Sequence, residues 1–284
     1  MILITLIWGV NFTVIKYTNV GLSPVFASTL RSVIASICGV IYVWRTGQTL
    51  FHRDIRLLYG IVAGMLFGAE FVFTYWGMLY TDSARSVVFK FLTPFMVVIG
   101  AHFFLKGDKL TWQKLLGLAL AFSGTVIVFY GRPKSAQPTM ILGDLLEVIG
   151  ALVWAISTIY IKRFMTETVH PINTFLYQLV FSIPILMGTS LIFEPRWIIR
   201  MDPSIVGAML FQSVLVAFIT FFMWFKLIHR YSVSRLSAFT FLTPIFGVFS
   251  GILFLGEEFT SSLLWGLPLT CIGILFVNWK TGSK

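Results

Sequence analysis

Charged residues are scarce in this chain: Asp, Glu, Lys and Arg together make up 11% of its 284 residues. An ordinary soluble chain carries roughly 25%, because polar groups have to cover its water-facing surface. A soluble globular domain is excluded. Cysteine is nearly absent too. Cys38 and Cys271 lie far apart, each in an apolar stretch, so neither a disulfide framework nor a thiolate metal site is indicated. Catalytic signatures are also missing: the chain contains no H-E-x-x-H, no G-x-S-x-G and no glycine-rich phosphate loop. The run Gly247–Gly251 loosely echoes a serine site around Ser250, with no histidine placed to serve it. No cofactor and no metal are implied. Neither a ring of like charges nor a filter loop, the marks of a channel, is visible.

What is present is apolar surface. Hydrophobic residues make up 57% of the chain, 29 Phe stand beside nine Trp and nine Tyr, and mean hydropathy is +0.90. A helix crossing lipid needs ~20 apolar residues, so ten crossings use ~200 and leave ~84 for loops. The apolar runs fall at 2–18, 24–44, 57–79, 86–105, 113–130, 141–161, 172–193, 205–228, 236–255 and 262–279. Between them lie polar, Gly- or Pro-bearing breaks such as Gly21–Pro24, Thr46–Arg56 and Glu194–Pro203. The expected class is an all-α integral membrane protein. Met1 to Val10 is apolar but has no basic lead and no A-x-A site, which is not the pattern of a cleavable signal peptide.

The chain reads as a duplication. Phe91-Leu92-Thr93-Pro94 recurs as Phe241-Leu242-Thr243-Pro244, a shift of 150 that also carries Arg85 onto Arg235 and Leu105 onto Leu255. Gly117 and Gly124 answer to Gly266 and Gly273, and Trp8, Pro24 and Arg31 answer to Trp154, Pro171 and Gln178. The sequence therefore divides into a first five-helix repeat (1–130), an inter-repeat loop (131–140) and a second five-helix repeat (141–284). An odd number of crossings per copy turns the second upside down, giving ten transmembrane helices as two inverted repeats. Thirteen of the Lys and Arg residues fall on even-numbered loops and the C-terminus, and six (Lys16, Arg85, Arg132, Lys134, Arg196, Arg200) on odd-numbered ones. The positive-inside rule then puts both termini in the cytoplasm of a multi-pass protein of the cell (inner) membrane. The net charge of +10 is thus a topology signal, and no nucleic-acid partner is implied.

In these motifs the chain resembles EamA-type members of the drug/metabolite transporter superfamily. The resemblance rests on Trp8-Gly9-x-Asn11-Phe12, Pro24 with Arg31, the paired FLTP segments, Gly143-Asp144 and Leu255-Gly256-Glu257. It runs across essentially the whole chain and implies ten helices in two inverted repeats round a central cavity, in proteins that mostly export small metabolites. Two features depart from it. Seven residues precede Trp8, fewer than the usual cytoplasmic lead-in, and Leu105-Lys106-Gly107-Asp108 stands where Leu-Gly-Glu is expected in the first copy.

Arg31, Glu70, Lys90 and Glu147 fall well inside apolar runs. A charge at the bilayer centre costs ~2.5–3.5 kcal/mol on insertion scales, so each should face a partner or a watery cavity. Two cations and two anions suit a polar or zwitterionic solute. A plain Glu70–Lys90 salt bridge stands beside that reading, the two differing in depth by ~7 Å on consecutive helices. Arg31 has the stem to snorkel toward the outer interface, and Glu147, near the start of its helix, suits the helix dipole. With Trp8, Asn11 and Trp154, these four are the candidate substrate-binding residues; Trp76 and Trp224 are further aromatic candidates. Pro94 and Pro244 each remove a helix hydrogen bond and free the carbonyls of Lys90 and Thr240. Matched helix breaks mark a transporter site, so Pro94, Pro244 and Thr240 are the candidate gating residues. Gly60, Gly64 and Gly68 form a small-residue ridge suited to helix contact, and His102 and His229 read as structural.

The sequence therefore points to a secondary transporter, an exporter of a small polar or zwitterionic metabolite such as an amino acid, working by alternating access. Its expected partners are that metabolite, the lipid bilayer and a proton coupled through Glu70 or Glu147, with the chain a monomer or homodimer. The alternatives are a non-transporting structural subunit of a membrane complex or an intramembrane enzyme.

Overall fold

A computed structural model describes residues 1–50, 53–81, 83–129, 140–255 and 261–279. Outside the described residues fall Gly256 and Glu257 of the second-copy motif, Arg132, Lys134, Lys280 and Lys284 of the orientation argument, and nearly all of the 131–140 loop. The side chains of Lys16, Arg85 and Leu255 are likewise outside the description.

Every named element among the described residues is a helix: α1 (Ile2–Thr18), α2 (Pro24–Thr46), α3 (Ile55–Tyr80), α4 (Ser83–Lys90), α5 (Thr93–Phe104), α6 (Trp112–Phe129), α7 (Met140–Phe164), α8 (Pro171–Phe193), α9 (Pro203–Leu210), a π-helical segment (Phe211–Thr220), α10 (Phe221–Arg230), α11 (Val233–Phe239), α12 (Leu242–Leu255) and α13 (Ser261–Asn278). Six helical stretches are long and apolar enough to cross a membrane: Pro24–Thr46, Ile55–Met78, Met140–Phe164, Pro171–Phe193, Pro203–Arg230 and Val233–Phe254. Shorter apolar helices cover Ile2–Ile15, Val88–Phe104, Trp112–Val128 and Leu264–Asn278. Leu, Ile and Phe remain exposed along their outer faces, as at Ile141 (78%) and Leu253 (76%). In water that would be costly; against lipid tails it is favourable.

Local chemistry sets the helix ends. Pro24, Pro171 and Pro203 occupy first-turn positions behind the N-caps Ser23, His170 and Asp202, where the missing N–H is harmless. The Asp202 carboxylate accepts from Ser204 N and Ile205 N. α2 ends where Gly47 turns left-handed at φ 67°.

The helices pair across the molecule rather than only with their chain neighbours. α1 packs on α12, α7 on α5, α3 on both α7 and α8, α2 on α8 and on the π-helical segment, and α6 on α13. The α6–α13 seam depends on glycine. A Cβ on Gly124 would stand 2.6 Å from the Gly266 carbonyl oxygen, and a Cβ on Gly273 would stand 2.5 Å from that of Gly117. The α3–α8 seam is similar: Gly64 lets the α8 backbone approach, with Tyr177 O 2.9 Å from where its Cβ would be, while Gly60 faces Tyr177 and Gly68 faces Ile185. The expected small-residue ridge of α3 is thus a helix contact.

Both proline-bearing runs are interrupted. α4 ends at Lys90 and α5 starts at Thr93; α11 ends at Phe239 and α12 starts at Leu242. The Lys90 carbonyl accepts from Thr93 Oγ1 at 2.7 Å, and the Thr240 carbonyl accepts from Thr243 N at 2.9 Å. The groups released by proline are therefore re-satisfied by the threonine beside it.

Candidate functional site

The two breaks, with α1, α2, α3, α7, the π-helical segment and the start of α10, line a partly open chamber of ≈ 180 Å³. A water needs only about 10–15 Å³ measured this way, so the chamber has room for a small metabolite. Trp8, Asn11, Arg31, Glu70, Lys90, Trp154 and Thr240 all line it. Glu147, Pro94 and Pro244 are not among its lining residues. Aromatic rings of Phe12, Phe71, Phe91 and Phe221, together with Thr93, Val216 and Thr243, complete the wall. Sequence reasoning named Phe12, Phe91, Thr93 and Thr243 only as motif residues and passed over Phe71, Val216 and Phe221, since such a residue in an apolar run carries no mark of the direction it faces.

Charge is concentrated on one side of the chamber. Lys90 Nζ donates to Glu70 Oε1 at 3.0 Å and to Thr74 Oγ1 at 3.3 Å, and Thr74 Oγ1 donates to the same Glu70 oxygen at 3.1 Å. Glu70 is 1% exposed and Lys90 31%. Arg31 does not snorkel. It is buried, with its guanidinium over the Phe71 ring at 4.7 Å and Lys90 Nζ 6.0 Å from the same ring. Glu147 is also buried; Ser86 Oγ donates to its Oε1 at 2.5 Å, and its carboxylate packs where a Cβ on Gly77 would lie.

Several chamber groups are buried without a hydrogen-bond partner: Asn11 Oδ1, Arg31 Nε, Glu70 Oε2 and Thr243 Oγ1. Buried polar atoms are normally satisfied, so four at one chamber is an arrangement suited to a polar ligand. Elsewhere on the wall, Trp8 Nε1 donates to Thr220 Oγ1 at 2.8 Å, and that hydroxyl donates to the Val216 carbonyl at 2.5 Å inside the π-helical segment. Such segments are frequent at functional sites. Trp224 packs edge-on against Trp8 from outside the chamber, and Trp76 packs on Phe193. Gln178, which the sequence aligns with Arg31, donates to Ser157 Oγ at 3.1 Å. His229 lies between the carbonyls of Phe225 and Val169, and His102 Nδ1 accepts from Leu110 N. Among the described residues no three His, Cys, Asp or Glu side chains gather to hold a metal.

At one end of the bundle Asp108 ties the halves of the chain together. It accepts from Lys114 Nζ (2.7 Å), Ser232 Oγ (2.7 Å) and Ser234 N (3.1 Å), capping the start of α11. Burial pushes its carboxyl up, but these donors outweigh it and hold it below the ordinary carboxylate value. At another point Glu194 caps α2, accepting from Val25 N and Phe26 N, each at 2.8 Å.

A bundle of helices with apolar outer faces round a charged, aromatic-walled chamber fits a membrane transporter. The match to known proteins gives the family. The EamA-like transporter family model covers residues 1–130 and 141–279, and the chain belongs to that family. It is 26% identical to a probable amino-acid metabolite efflux pump of Escherichia coli (strain K12), over 100% of this chain and 96% of that one. It is also 26% identical to the uncharacterized transporter YoaV of Bacillus subtilis (strain 168), over 100% and 97%. A solved crystal structure matches with TM-score 0.85 at 16% identity, covering 97% of this chain and 94% of its own, which bears on the fold alone. The protein is a multi-pass membrane transporter.

Proposed function

We propose that this protein is a secondary transporter that exports a small polar or zwitterionic metabolite, with an amino acid as the reference substrate, by alternating access of the chamber. One observation carries the reading. The chamber is walled by residues at matched positions of the two copies: Trp8 with Trp154, Thr93 with Thr243, and Lys90 with Thr240. A site shared by two inverted repeats is where rocking of one against the other exposes a solute to each side in turn.

The packing supports the inverted duplication. Exchanging the copies turns the α1–α12 contact into α7–α5 and the α3–α8 contact into that of α2 with the π-helical segment, and all four occur. The α6–α13 and α2–α8 contacts map onto themselves, and the first is closed by the matched glycines. The family model also matches in two separate stretches, 1–130 and 141–279. Ten crossings, with both termini in the cytoplasm of an inner membrane, complete this arrangement. One chain supplies the chamber's lining residues, and either a monomer or a homodimer is compatible with this reading. Proton coupling belongs to the same reading, through Glu70 on the wall or Glu147 behind it. The amino-acid assignment draws support from the bacterial efflux-pump relative.

The test is counterflow of labelled solutes in proteoliposomes of the purified protein. Saturable exchange of amino acids that Trp154→Ala weakens supports the carrier. Absence of exchange across amino acids, nucleobases and organic cations would instead indicate a structural subunit.

A further inference from the structure

The charges of the chamber are not evenly served. Glu70 is bonded to Lys90, and Glu147 is held by Ser86 off the chamber wall while acting electrostatically on the same lysine. Both carboxylates therefore act on Lys90, and only Glu70 acts on Arg31 as well, without forming an ion pair with it. Arg31 is 4% exposed, has no ion-pair partner among the described residues, and buries its Nε without an acceptor. Its compensation is the face of Phe71, 4.7 Å away, a ring that Lys90 Nζ also faces, with Glu70 acting on the guanidinium only at longer range. Its counterpart in the other copy, Gln178, is neutral and satisfied by Ser157, so the duplication supplies no balancing charge. A buried guanidinium is a fork of donors matched to a carboxylate. The rest of the chamber offers Trp8, Phe12, Phe91, Trp154 and Phe221 to whatever that carboxylate is attached to.

We infer that Arg31 receives the carboxylate of the substrate, and that the substrate class is a monocarboxylate with an aromatic or branched apolar body, for which an α-ammonium is dispensable. The inference rests on the chamber being the transport site, and it narrows the solute within that reading. An ammonium brought to Glu70 would compete with Lys90, placing two cations on one carboxylate. A carboxylate at Arg31 meets a cation that no carboxylate bonds directly among the described residues. Carboxylates thus bind, amino acids bind through the same end, and amines do not.

The test is direct binding to the detergent-purified full chain, read by thermal stabilisation and by titration. The probes are 3-phenylpropanoate, phenylalanine, phenylalanine methyl ester and 2-phenylethylamine. The two free carboxylates stabilise the protein, and the ester and amine bind at least ~10-fold more weakly, the loss expected when a charge-assisted bond goes unmade. Arg31→Gln removes the preference and Arg31→Lys retains part of it. An amine or ester that binds as well as the acid overturns the inference, as does an acid affinity unchanged in Arg31→Gln. Should that variant fail to fold, the wild-type ligand series decides alone. Arg31-dependent acid binding without counterflow removes the transporter reading and leaves this inference standing. Amino-acid counterflow with no preference for a free carboxylate does the reverse.

Discussion

Lys90 Nζ and Glu70 Oε1 stand 3.0 Å apart on the chamber wall, while the second oxygen of Glu70 is buried without a partner. The pair is therefore an ion bridge between α3 and α4 whose carboxylate keeps one buried oxygen unbonded. Removing one member should be far worse than removing both. Breaking a buried pair costs ~3–5 kcal/mol, whereas replacing both charges is often neutral; the 31% exposure of Lys90 moves the loss toward the lower end. Glu70→Gln and Lys90→Met should each lower the unfolding temperature in detergent, and the double variant should recover most of the loss in a mutant cycle. Additive losses would show that the two do not act as a unit.

Coupling to protons makes a separate prediction. If Glu70 carries the proton, Glu70→Gln transports at a rate indifferent to an imposed pH gradient, while Glu147→Gln keeps the dependence. The reversed pattern assigns the proton to Glu147. Flux in proteoliposomes under opposed gradients distinguishes the two.

The glycine seam between α6 and α13 sets a steric expectation. Gly124→Ala would push a methyl to 2.6 Å from the Gly266 carbonyl oxygen and 2.7 Å from Thr270 N. Overpacking of this kind costs ~1–3 kcal/mol, so the variant should melt several degrees lower. Gly188, with nothing within 4 Å of its would-be Cβ, is the control, and Gly188→Ala should leave the melting temperature unchanged or higher.

Asp108 gives a pH signature. Its folded-state value lies below that of the unfolded chain, about 3.9 for a free Asp. The stability it contributes is therefore complete above that value and lost as pH falls through the lower folded one. Asp108→Asn should melt below the wild type at pH 7, and the gap should close in the acid range below about pH 4. A gap that stays constant there would mean that Asp108 acts by shape rather than by charge.

Much of the chamber is legible in the amino-acid sequence. Charges in apolar runs are conspicuous because lipid penalises them, so Arg31, Glu70 and Lys90 stand out, and the repeated Thr-Pro marks both helix interruptions. What stays hidden depends on direction round a helix. Glu147 and Arg31 each announce a buried charge, yet depth alone says nothing about which faces the chamber; Glu147 turns to Ser86 and Gly77. The π-helical segment has no proline to signal it, being a register change that packing rather than local propensity decides. The Asp108 clamp joins residues 124 apart in sequence, which no local pattern reveals. It also accounts for an Asp at position 108, where Leu-Gly-Glu is expected: that carboxylate caps α11.

The central claim, a chamber opened to each side in turn, is tested most directly at Thr240. It lines the chamber at a shift of 150 from Lys90, and the chain has only Cys38 and Cys271 to remove first. A Thr240→Cys variant in that background should react with a membrane-impermeant thiol reagent applied from either face, and substrate should slow both reactions. Reaction from one face only, whatever solute is present on either side, would contradict the account.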